Sequence, residues 1–261
     1  MYRGFSLKIS DEDIKRLPNC QFNHFHISAI RDTLRRNIVA SYSIDADELK
    51  SDWFPTIKSD VFLSHSHKDI ELVKKIAHLL GELHLGTFID SEVWGYSDDL
   101  VKQIEERYYP HGAFQVHDKI VAHVNIMLAS ALTKMLNNTE CVIFLNTPNS
   151  IVPAGYSNAN KTDSPWIYHE LFTTSILPVV EPIRKSERPG SVVNEARQTQ
   201  ILHTPPLDHL TDLNNSDFRA WINRSKNNRY HSLDVLYELK PLRLNDAYTN
   251  VRLSGSIVYY K

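Results

Sequence analysis

Residues 60–90 read DVFLSHSHKDIELVKKIAHLLGELHLGTFID, and this stretch determines the predicted fold. Its opening, DVFLS, is a short apolar run typical of a buried strand, and its close, TFID, is a second such run. Between them, Ser66 and Asp69 form a capping-box pattern. The segment that follows carries apolar residues at helical spacing, namely Leu72, Val73, Ile76, Leu79, Leu80 and Leu83. A strand, a helix and a strand in this order predict a βαβ unit and hence a parallel sheet.

The rest of the chain extends this unit into an α/β domain with a central parallel sheet flanked by helices. Helices are predicted near residues 98–109 and 118–136, and ECVIFL, residues 140–145, is a third buried strand. Further on, PVVEPI (178–183) and QTQILH (198–203) are candidate strands. SDFRAWINR (216–224) and HSLDVLYEL (231–239) have the pattern of amphipathic helices.

We predict three segments along the chain. Residues 1–57 form a short, mostly helical N-terminal extension that includes a helix near residues 30–41. Residues 58–225 form the α/β domain, and residues 226–261 form a C-terminal extension packed on it.

Composition disfavours several classes of protein. The chain has 261 residues with a net charge of −2 and no cluster of Lys or Arg, so nucleic acid is not the expected partner. Cys20 and Cys141 are its only cysteines, which predicts neither a disulfide framework nor a cysteine-based metal site. No apolar run approaches the roughly 20 residues of a membrane span, and the N-terminal residues are too polar for a signal peptide. We therefore expect a cytoplasmic protein without membrane contact, whose partner is a small molecule or another protein.

SPWIYHELF, residues 164–172, places a carboxylate where local helix stabilisation does not account for it. Ser164 is a natural N-cap and Pro165 fits the first helical position, so Glu170 lies in the second turn. Glu170 is not at the capping-box position, and no Lys or Arg stands three or four residues away to pair with it. It is therefore either a solvated surface side chain or part of a ligand site with Trp166, which projects from the same face one turn earlier. Trp166 alone is also compatible with core packing.

Three further segments follow predicted strands, where ligands bind in an open parallel sheet. They are SHSHKD (64–69), DSEVWGYSDD (90–99) and NTPNS (146–150). Ser64, His65 and Ser66 offer hydroxyl and backbone N–H donors at a helix N-terminus, which suits a phosphate or a ribose, although Ser66 alternatively only caps the helix. His65 and His67 lack a third ligand at a recognisable spacing, so we predict no metal site.

The order of these motifs resembles the Toll/interleukin-1 receptor (TIR) domain, and particularly bacterial TIR proteins. DVFLSHSHKD, FIDSEVWGYSDDL, ECVIFLNTPNS and SPWIYHEL occur in the family's order at plausible spacing. The family's opening strand, D-[VI]-F-[IL]-S, matches Asp60 to Ser64, and its F-[IL]-D strand matches Phe88 to Asp90. The resemblance covers residues 58–225, where LDHLTDLNNSDFRAW resembles the closing strand and helix, and it implies a flavodoxin-like fold.

The resemblance also implies an activity. Enzymatic TIR domains carry a W-x-x-x-E pattern on the helix after the third strand, and its glutamate is required to cleave NAD at the nicotinamide glycosidic bond. The pattern falls on Trp166 and Glu170. Glu170 would then be the catalytic residue, contacting ribose hydroxyls and stabilising an oxocarbenium-like transition state, while Trp166 forms a wall facing the ring. Ser64, His65 and Ser66 follow the strand where the family contacts phosphates or ribose. NAD is the expected substrate, and no cofactor is expected.

By the same resemblance, the segment after the second strand is a mobile loop that closes over the site or packs against a neighbouring subunit. Trp94 and Tyr96 would stack on a ring of NAD with Gly95 as a hinge, or they anchor the loop to its own domain. Asp90 would orient this loop or contact the ligand.

Two functions stay open on this evidence. The first is cleavage of NAD to nicotinamide and ADP-ribose, or to a cyclic or conjugated signal molecule, in bacterial antiviral defence of the Thoeris-like kind, with a separate effector reached through that signal. The second is a non-enzymatic TIR scaffold that mediates protein assembly. TIR surfaces imply a homo-oligomer in both cases. The long stretch before the third strand and the region after Pro178 depart from the family pattern.

Overall fold

A computed structural model shows how these segments fold. It describes residues 1–10, 46–89, 91–109, 116–152, 161–182, 205–228 and 230–241, together with Glu12, Ile14 and Leu17. The described residues form three layers, a central sheet with helices on each face.

In the described part of the chain, five strands form one parallel sheet. They are β1 Arg3–Lys8, β2 Val61–Ser64, β3 Thr87–Ile89, β4 Cys141–Leu145 and β5 Thr211–Asn214. Their order across the sheet is β3-β2-β4-β1-β5, and every neighbouring pair is parallel. This confirms the predicted α/β fold with a central parallel sheet flanked by helices, and the order is consistent with a flavodoxin-like fold.

The helices whose bounds fall within the described residues are α1 Ala46–Trp53, α2 Ile70–Glu82, α3 Ser91–Tyr108, α4 His117–Asn138, α5 Pro165–Ile176, α6 Asn215–Lys226 and α7 Ser232–Leu239. Successive strand residues point to opposite faces of the sheet. Val61 therefore packs with α2, α6 and α7 in one core, whereas Phe62 packs with α1, α3 and α4 in the other. α5 lies on the second face, where Ile167 and Leu171 pack against Phe144 of β4.

β1 lies inside the sheet, between β4 and β5, although its residues belong to the segment 1–57 predicted as an extension. Its sequence, RGFSLK, contains only two large apolar residues, Phe5 and Leu7, and both are buried. The continuous apolar run that marks most buried parallel strands is therefore missing. Backbone pairing to both neighbours holds the strand, with Phe5 opposite Ile143 on one side and Thr211 on the other. The domain accordingly includes a strand that lies well before residue 58.

α7, within the segment 226–261, packs on the same domain. Leu233, Val235 and Leu236 are buried in the core that α2 and α6 share. The indole Nε1–H of Trp221 on α6 donates a hydrogen bond of 2.7 Å to the carbonyl oxygen of Ser232. The first part of the C-terminal segment thus completes one helix layer.

Most of the other predicted elements are found. The helices predicted near 98–109 and 118–136 are α3 and α4, ECVIFL forms β4, and the closing strand and helix are β5 and α6. The candidate strand PVVEPI is wrong over residues 178–182, which have no regular structure. QTQILH and the helix near residues 30–41 lie outside the described residues.

α4 is long and apolar enough, by length and composition alone, to cross a membrane. One face of it is buried in the core of the domain, through Ile120, Val124, Met127, Leu128, Ala131, Leu132, Met135 and Leu136. Since a core helix passes the same test, the absence of membrane contact stays a prediction.

Candidate functional site

The order in which the chain adds strands to the sheet reverses between β2 and β4, which makes this pair a topological switch point. β3 lies on one side of β2, and the chain then returns past β2 to form β4 on its other side. In an open parallel sheet, the loops that leave such a pair of strands diverge and leave a crevice at the carboxyl ends, where ligands bind. A candidate site is therefore expected where the segments after β2 and β4 approach α5.

Ser64 and Glu170 meet at this crevice. Ser64 is the last residue of β2, and Phe62, two residues earlier, faces the helix layer that contains α5. The alternation of a strand therefore turns the Ser64 side chain toward α5 as well. Its hydroxyl donates a hydrogen bond of 2.7 Å to Oε2 of Glu170, and each of the two residues is 0% exposed.

The start of α5 explains the position of Glu170. Ser164 Oγ accepts a hydrogen bond of 3.2 Å from the backbone N–H of Ile167, and Pro165 stands in the first turn, so the predicted helix start is confirmed. Leu171, next to Glu170, packs toward β4 and is fully buried. The cap and this apolar contact together hold the second turn of α5 against the sheet, and Glu170 reaches the end of β2.

The Glu170 carboxylate has an unusual environment for a glutamate. The interpretation as a solvated surface side chain is wrong, because the residue is fully buried. Burying a carboxylate is costly unless hydrogen bonds compensate it, and Ser64 supplies one such bond. The donor in that bond is neutral, so the bond does not cancel the negative charge of an ionised carboxylate. In a site of low dielectric constant, such a charge stabilises positive charge that develops next to it.

Trp166 packs one turn before Glu170. It is partly buried against the core formed by α1, α3 and α4, and its ring meets the His169 ring edge-on, with centroids 6.4 Å apart. His169 Nε2 lies 3.2 Å from both the hydroxyl of Thr133 and the carbonyl oxygen of Ala129 on α4, and burial lowers the pKa of His169. Trp166 therefore contributes to core packing in this structure, which was the alternative interpretation of its sequence position.

His65 and Ser66 follow directly after β2. His65 is buried, and its Nδ1–H donates to the carbonyl oxygen of Leu63 at 3.1 Å. Ser66 precedes a 3-10 turn over His67–Asp69, but its side chain makes no capping hydrogen bond. The predicted capping box is therefore wrong. The backbone N–H of Ser66, expected to face a phosphate or ribose, instead donates to another side chain of the protein.

Asp69 joins the segments that follow β2 and β4 by hydrogen bonds, a role that its spacing from Ser66 does not indicate. Its Oδ2 accepts a hydrogen bond of 2.5 Å from the Thr147 hydroxyl, and its Oδ1 accepts one of 2.7 Å from Asn149 Nδ2. The Ser66 N–H donates to Ser150 Oγ at 3.2 Å. We call Ser66, Asp69, Thr147, Asn149 and Ser150 the loop clamp. The only sequence signal for it is that polar residues follow two neighbouring strands.

The segment after β3 differs from its prediction. Residues 91–99, expected to form a mobile loop, lie in the helix α3. One glycine and no proline interrupt this stretch, so the helix that buries Leu100 and Ile104 also includes the residues before them. Asp90 and the side chains of Trp94 and Tyr96 lie outside the described part of the chain, and their roles in substrate binding stay predictions.

The far end of α5 carries a second polar contact. His209, just before β5, has its Nε2 2.9 Å from the hydroxyl of Thr174, which itself donates to the carbonyl oxygen of Leu171. Nε2 is therefore the protonated nitrogen. Burial lowers the pKa of His209 to about 4, with a smaller opposing effect of Asp208. The contact joins α5, one turn beyond Glu170, to the segment that leads into β5.

One group of possible metal ligands occurs among the described residues, away from this crevice. Glu140, His231 and Asp234 each place a ligand atom within 4.8 Å of the others. Glu140 immediately precedes β4 and so lies at the amino ends of the strands. Tyr237 donates to Glu140 at 2.9 Å, His231 is the N-cap residue of α7, and Asp234 lies in the first turn of that helix. The group therefore gives no reason to change the prediction that the site uses no metal.

Comparison with known proteins finds no matching family model, no matching curated protein and no matching solved structure. Support for a function therefore comes from the geometry of the crevice and from the sequence motifs that lie at it. Of the predicted site residues, the structure brings Ser64 and Glu170 into direct contact, with His65 and Ser66 next to them and Trp166 one helical turn away.

Proposed function

We propose that this protein cleaves the glycosidic bond between nicotinamide and ribose in NAD, with Glu170 as the catalytic carboxylate. The observation that carries the proposal is the position of Glu170, which is fully buried at the carboxyl end of β2 and bonded to the neutral hydroxyl of Ser64. The resemblance to enzymatic TIR domains supports it, because Trp166 and Glu170 stand at the positions of the W-x-x-x-E pattern.

The chemistry needs one well-placed carboxylate. Nicotinamide in NAD is already cationic, so the bond between ribose C1′ and the ring nitrogen breaks with its electron pair going to nicotinamide, and no general acid is required. The ribose carbon then carries positive charge. A preorganised carboxylate in a dry site stabilises that charge and lowers the barrier by several kcal/mol. Water attacking C1′ gives ADP-ribose and a proton, whereas attack by another nucleophile gives a cyclic or conjugated product.

Ser64 has a defined role in this proposal. Its hydroxyl donates to Oε2 of Glu170 at 2.7 Å, which keeps the carboxylate at the end of β2. Asp90, Trp94, Tyr96, His65, Ser66 and Trp166 are the proposed substrate-binding residues. NAD is a substrate here, and the proposed reaction uses no cofactor.

The biological setting follows from the same resemblance. We place the protein in bacterial antiviral immunity, as a cytoplasmic enzyme that assembles into a homo-oligomer and produces a nucleotide signal for a separate effector. Nucleic acid and membranes are not proposed partners.

Incubation with NAD tests the proposed reaction. Purified protein at high concentration, with a crowding agent to favour assembly, is mixed with NAD, and the products are separated and weighed by liquid chromatography and mass spectrometry. We expect one nicotinamide for each NAD consumed. A second product with the mass of ADP-ribose indicates hydrolysis. A product lighter than ADP-ribose by one water indicates cyclisation. Equal rates for the wild type and Glu170→Gln would contradict the assignment of Glu170.

A non-enzymatic scaffold is the second candidate, and the burial of Glu170 is the observation that favours it. A carboxylate that only joins α5 to β2 is also expected to be fully buried and bonded to Ser64. In that case Glu170→Gln lowers the free energy of unfolding or weakens self-association. The wild type and Glu170→Gln then both release no nicotinamide, even under conditions in which the wild type has assembled.

A further inference from the structure

We infer that Asp69 is a positioning residue for the proposed reaction, because the loop clamp holds the end of β2 and hence sets Ser64 against Glu170. This inference rests on the proposed function. Asp69 lies five residues after Ser64, and the residues that it bonds, Thr147 and Asn149, follow β4. The clamp therefore spans the two strands at the switch point and sets the width of the crevice between their ends.

Four residues of the loop clamp, Ser66, Asp69, Thr147 and Ser150, form a closed ring of hydrogen bonds, and Asn149 bonds the Asp69 carboxylate from outside the ring. Thr147 has one hydroxyl proton, which it donates to Asp69 Oδ2, so Ser150 must donate in the 3.3 Å contact between the two hydroxyls. Ser150 Oγ accepts the Ser66 N–H, and the Asp69 N–H donates to the Ser66 carbonyl oxygen at 2.8 Å. The Asp69 carboxylate accepts at this ring without donating, so it sets the direction of the two hydroxyl bonds, from Thr147 to Asp69 and from Ser150 to Thr147.

Asp69 acts through this ring and not on the substrate. Asp69 is only 9% exposed, and its two carboxylate oxygens already accept hydrogen bonds from Thr147 and Asn149. Loss of the ring releases Ser66, which is two residues from Ser64, and a displacement of about 1 Å at a catalytic centre costs about 100-fold in rate. We therefore expect the effect of Asp69 on kcat, with KM changed by less than about threefold.

Asn149 makes a reciprocal test possible. In Asp69→Ala, both carboxylate oxygens are removed, so the Thr147 bond and the Asn149 bond are lost. In Asn149→Asp, two carboxylates stand where a bond of 2.7 Å joined donor and acceptor. The double variant Asp69→Asn with Asn149→Asp reverses that bond and leaves the amide oxygen introduced at position 69 to accept from Thr147. Asp47→Ala makes the same chemical change as Asp69→Ala, but on the exposed surface of α1, and is the matched control.

Two measurements are made on these four variants and the wild type. One is kcat and KM for nicotinamide release from NAD. The other is nuclear magnetic resonance, which reads the exchange rate of the Ser66 amide proton and the carboxyl ¹³C resonance of Glu170 without any need for activity. Urea unfolding identifies a variant that is not folded. In that case Thr147→Val takes its place, because it removes the hydroxyl that donates to Asp69 and accepts from Ser150.

The inference predicts a fall in kcat of at least about tenfold in each single variant and recovery to within about threefold in the double variant. The Ser66 amide exchanges at least about tenfold faster in the single variants, the Glu170 resonance shifts, and both return in the double variant. Unchanged kcat in folded single variants of an active enzyme overturns the role of Asp69. If the wild type releases no nicotinamide, the proposed reaction is wrong, but the positioning of Glu170 by Asp69 can still be tested by nuclear magnetic resonance. A Glu170 carboxyl resonance that does not shift in the single variants overturns that role of Asp69.

Discussion

The hydroxyl of Ser64 donates a 2.7 Å hydrogen bond to Oε2 of Glu170, which lies 106 residues further along the chain. This contact joins the last residue of β2 to the second turn of α5, and both partners are fully buried. It is a tertiary contact between two segments that the sequence marks independently, one by a strand motif and the other by a capped helix. The contact explains why Glu170 stands on α5 although no Lys or Arg lies one helical turn away from it.

Replacement of Ser64 by alanine tests how much this hydrogen bond contributes to the stability of the protein and to the rate of the proposed reaction. Ser64→Ala removes the donor from a buried carboxylate oxygen, which we expect to lower the free energy of unfolding by about 2 kcal/mol. Nicotinamide release should fall by about tenfold, since Glu170 loses the bond that orients it. Urea denaturation and initial rates measure the two effects. Ser130→Ala, on the exposed side of α4, is the control and should change the stability by less than about 0.5 kcal/mol. A Ser64→Ala protein as stable as this control would show that the contact contributes nothing.

The stability of the protein should decline between about pH 6.5 and pH 4 because of His209. The folded state holds its pKa at about 4 by burial, while the unfolded chain has the ordinary value of 6.5. The unfolded state therefore binds more protons in this range, and stability is full above pH 6.5 and falls as the pH decreases toward 4. At pH 5 the loss is about 1–2 kcal/mol after allowance for the partial exposure of the ring.

His209→Gln isolates this contribution. Chemical denaturation of both proteins at pH 7.5 and pH 5 gives the change in stability for each. We expect the wild type to lose about 1–2 kcal/mol more than the variant between these conditions. Equal losses in the two proteins would show that His209 does not titrate differently in the folded and unfolded states.

Phe5 tests the position of β1 inside the sheet. Its side chain is 0% exposed, so Phe5→Ala should lower the free energy of unfolding by about 3–5 kcal/mol through lost burial and the cavity that remains. A change of less than about 1 kcal/mol would mean that residues 3–8 do not belong to the core. Tyr230→Ala, at a residue that is 71% exposed, is the control and should be nearly neutral.

The sequence predicts the parts of this fold that depend on local pattern. DVFLS, TFID and ECVIFL are apolar enough to be recognised as buried strands, and the cap formed by Ser164 and Pro165 locates α5 correctly. β1 escapes the same reasoning because Gly4 and Ser6 alternate with its two large apolar residues, and only pairing with distant strands makes it part of the sheet. Its position between β4 and β5 is a property of the tertiary structure.

The candidate site shows the same division. The sequence marks Glu170 as a carboxylate that local helix stabilisation does not explain, but the identity of its partner, Ser64, depends on strand alternation and on how α5 packs. Asp69 has the spacing of a helix-capping acid, yet its carboxylate bonds residues that follow β4. The three-residue spacing predicts a contact between Asp69 and Ser66. Because β2 and β4 are neighbours in the sheet, the Asp69 carboxylate instead bonds Thr147 and Asn149.

The rate of nicotinamide release from NAD, compared between Glu170→Gln and Glu71→Gln, tests the central claim most directly. Both variants replace a carboxylate by an amide of the same shape, one buried at the crevice and one exposed on α2 beside Lys74. We predict that the assembled wild type and Glu71→Gln release nicotinamide at the same rate, whereas Glu170→Gln is slower by at least about 100-fold and remains folded. Release by Glu170→Gln at the wild-type rate would contradict the account.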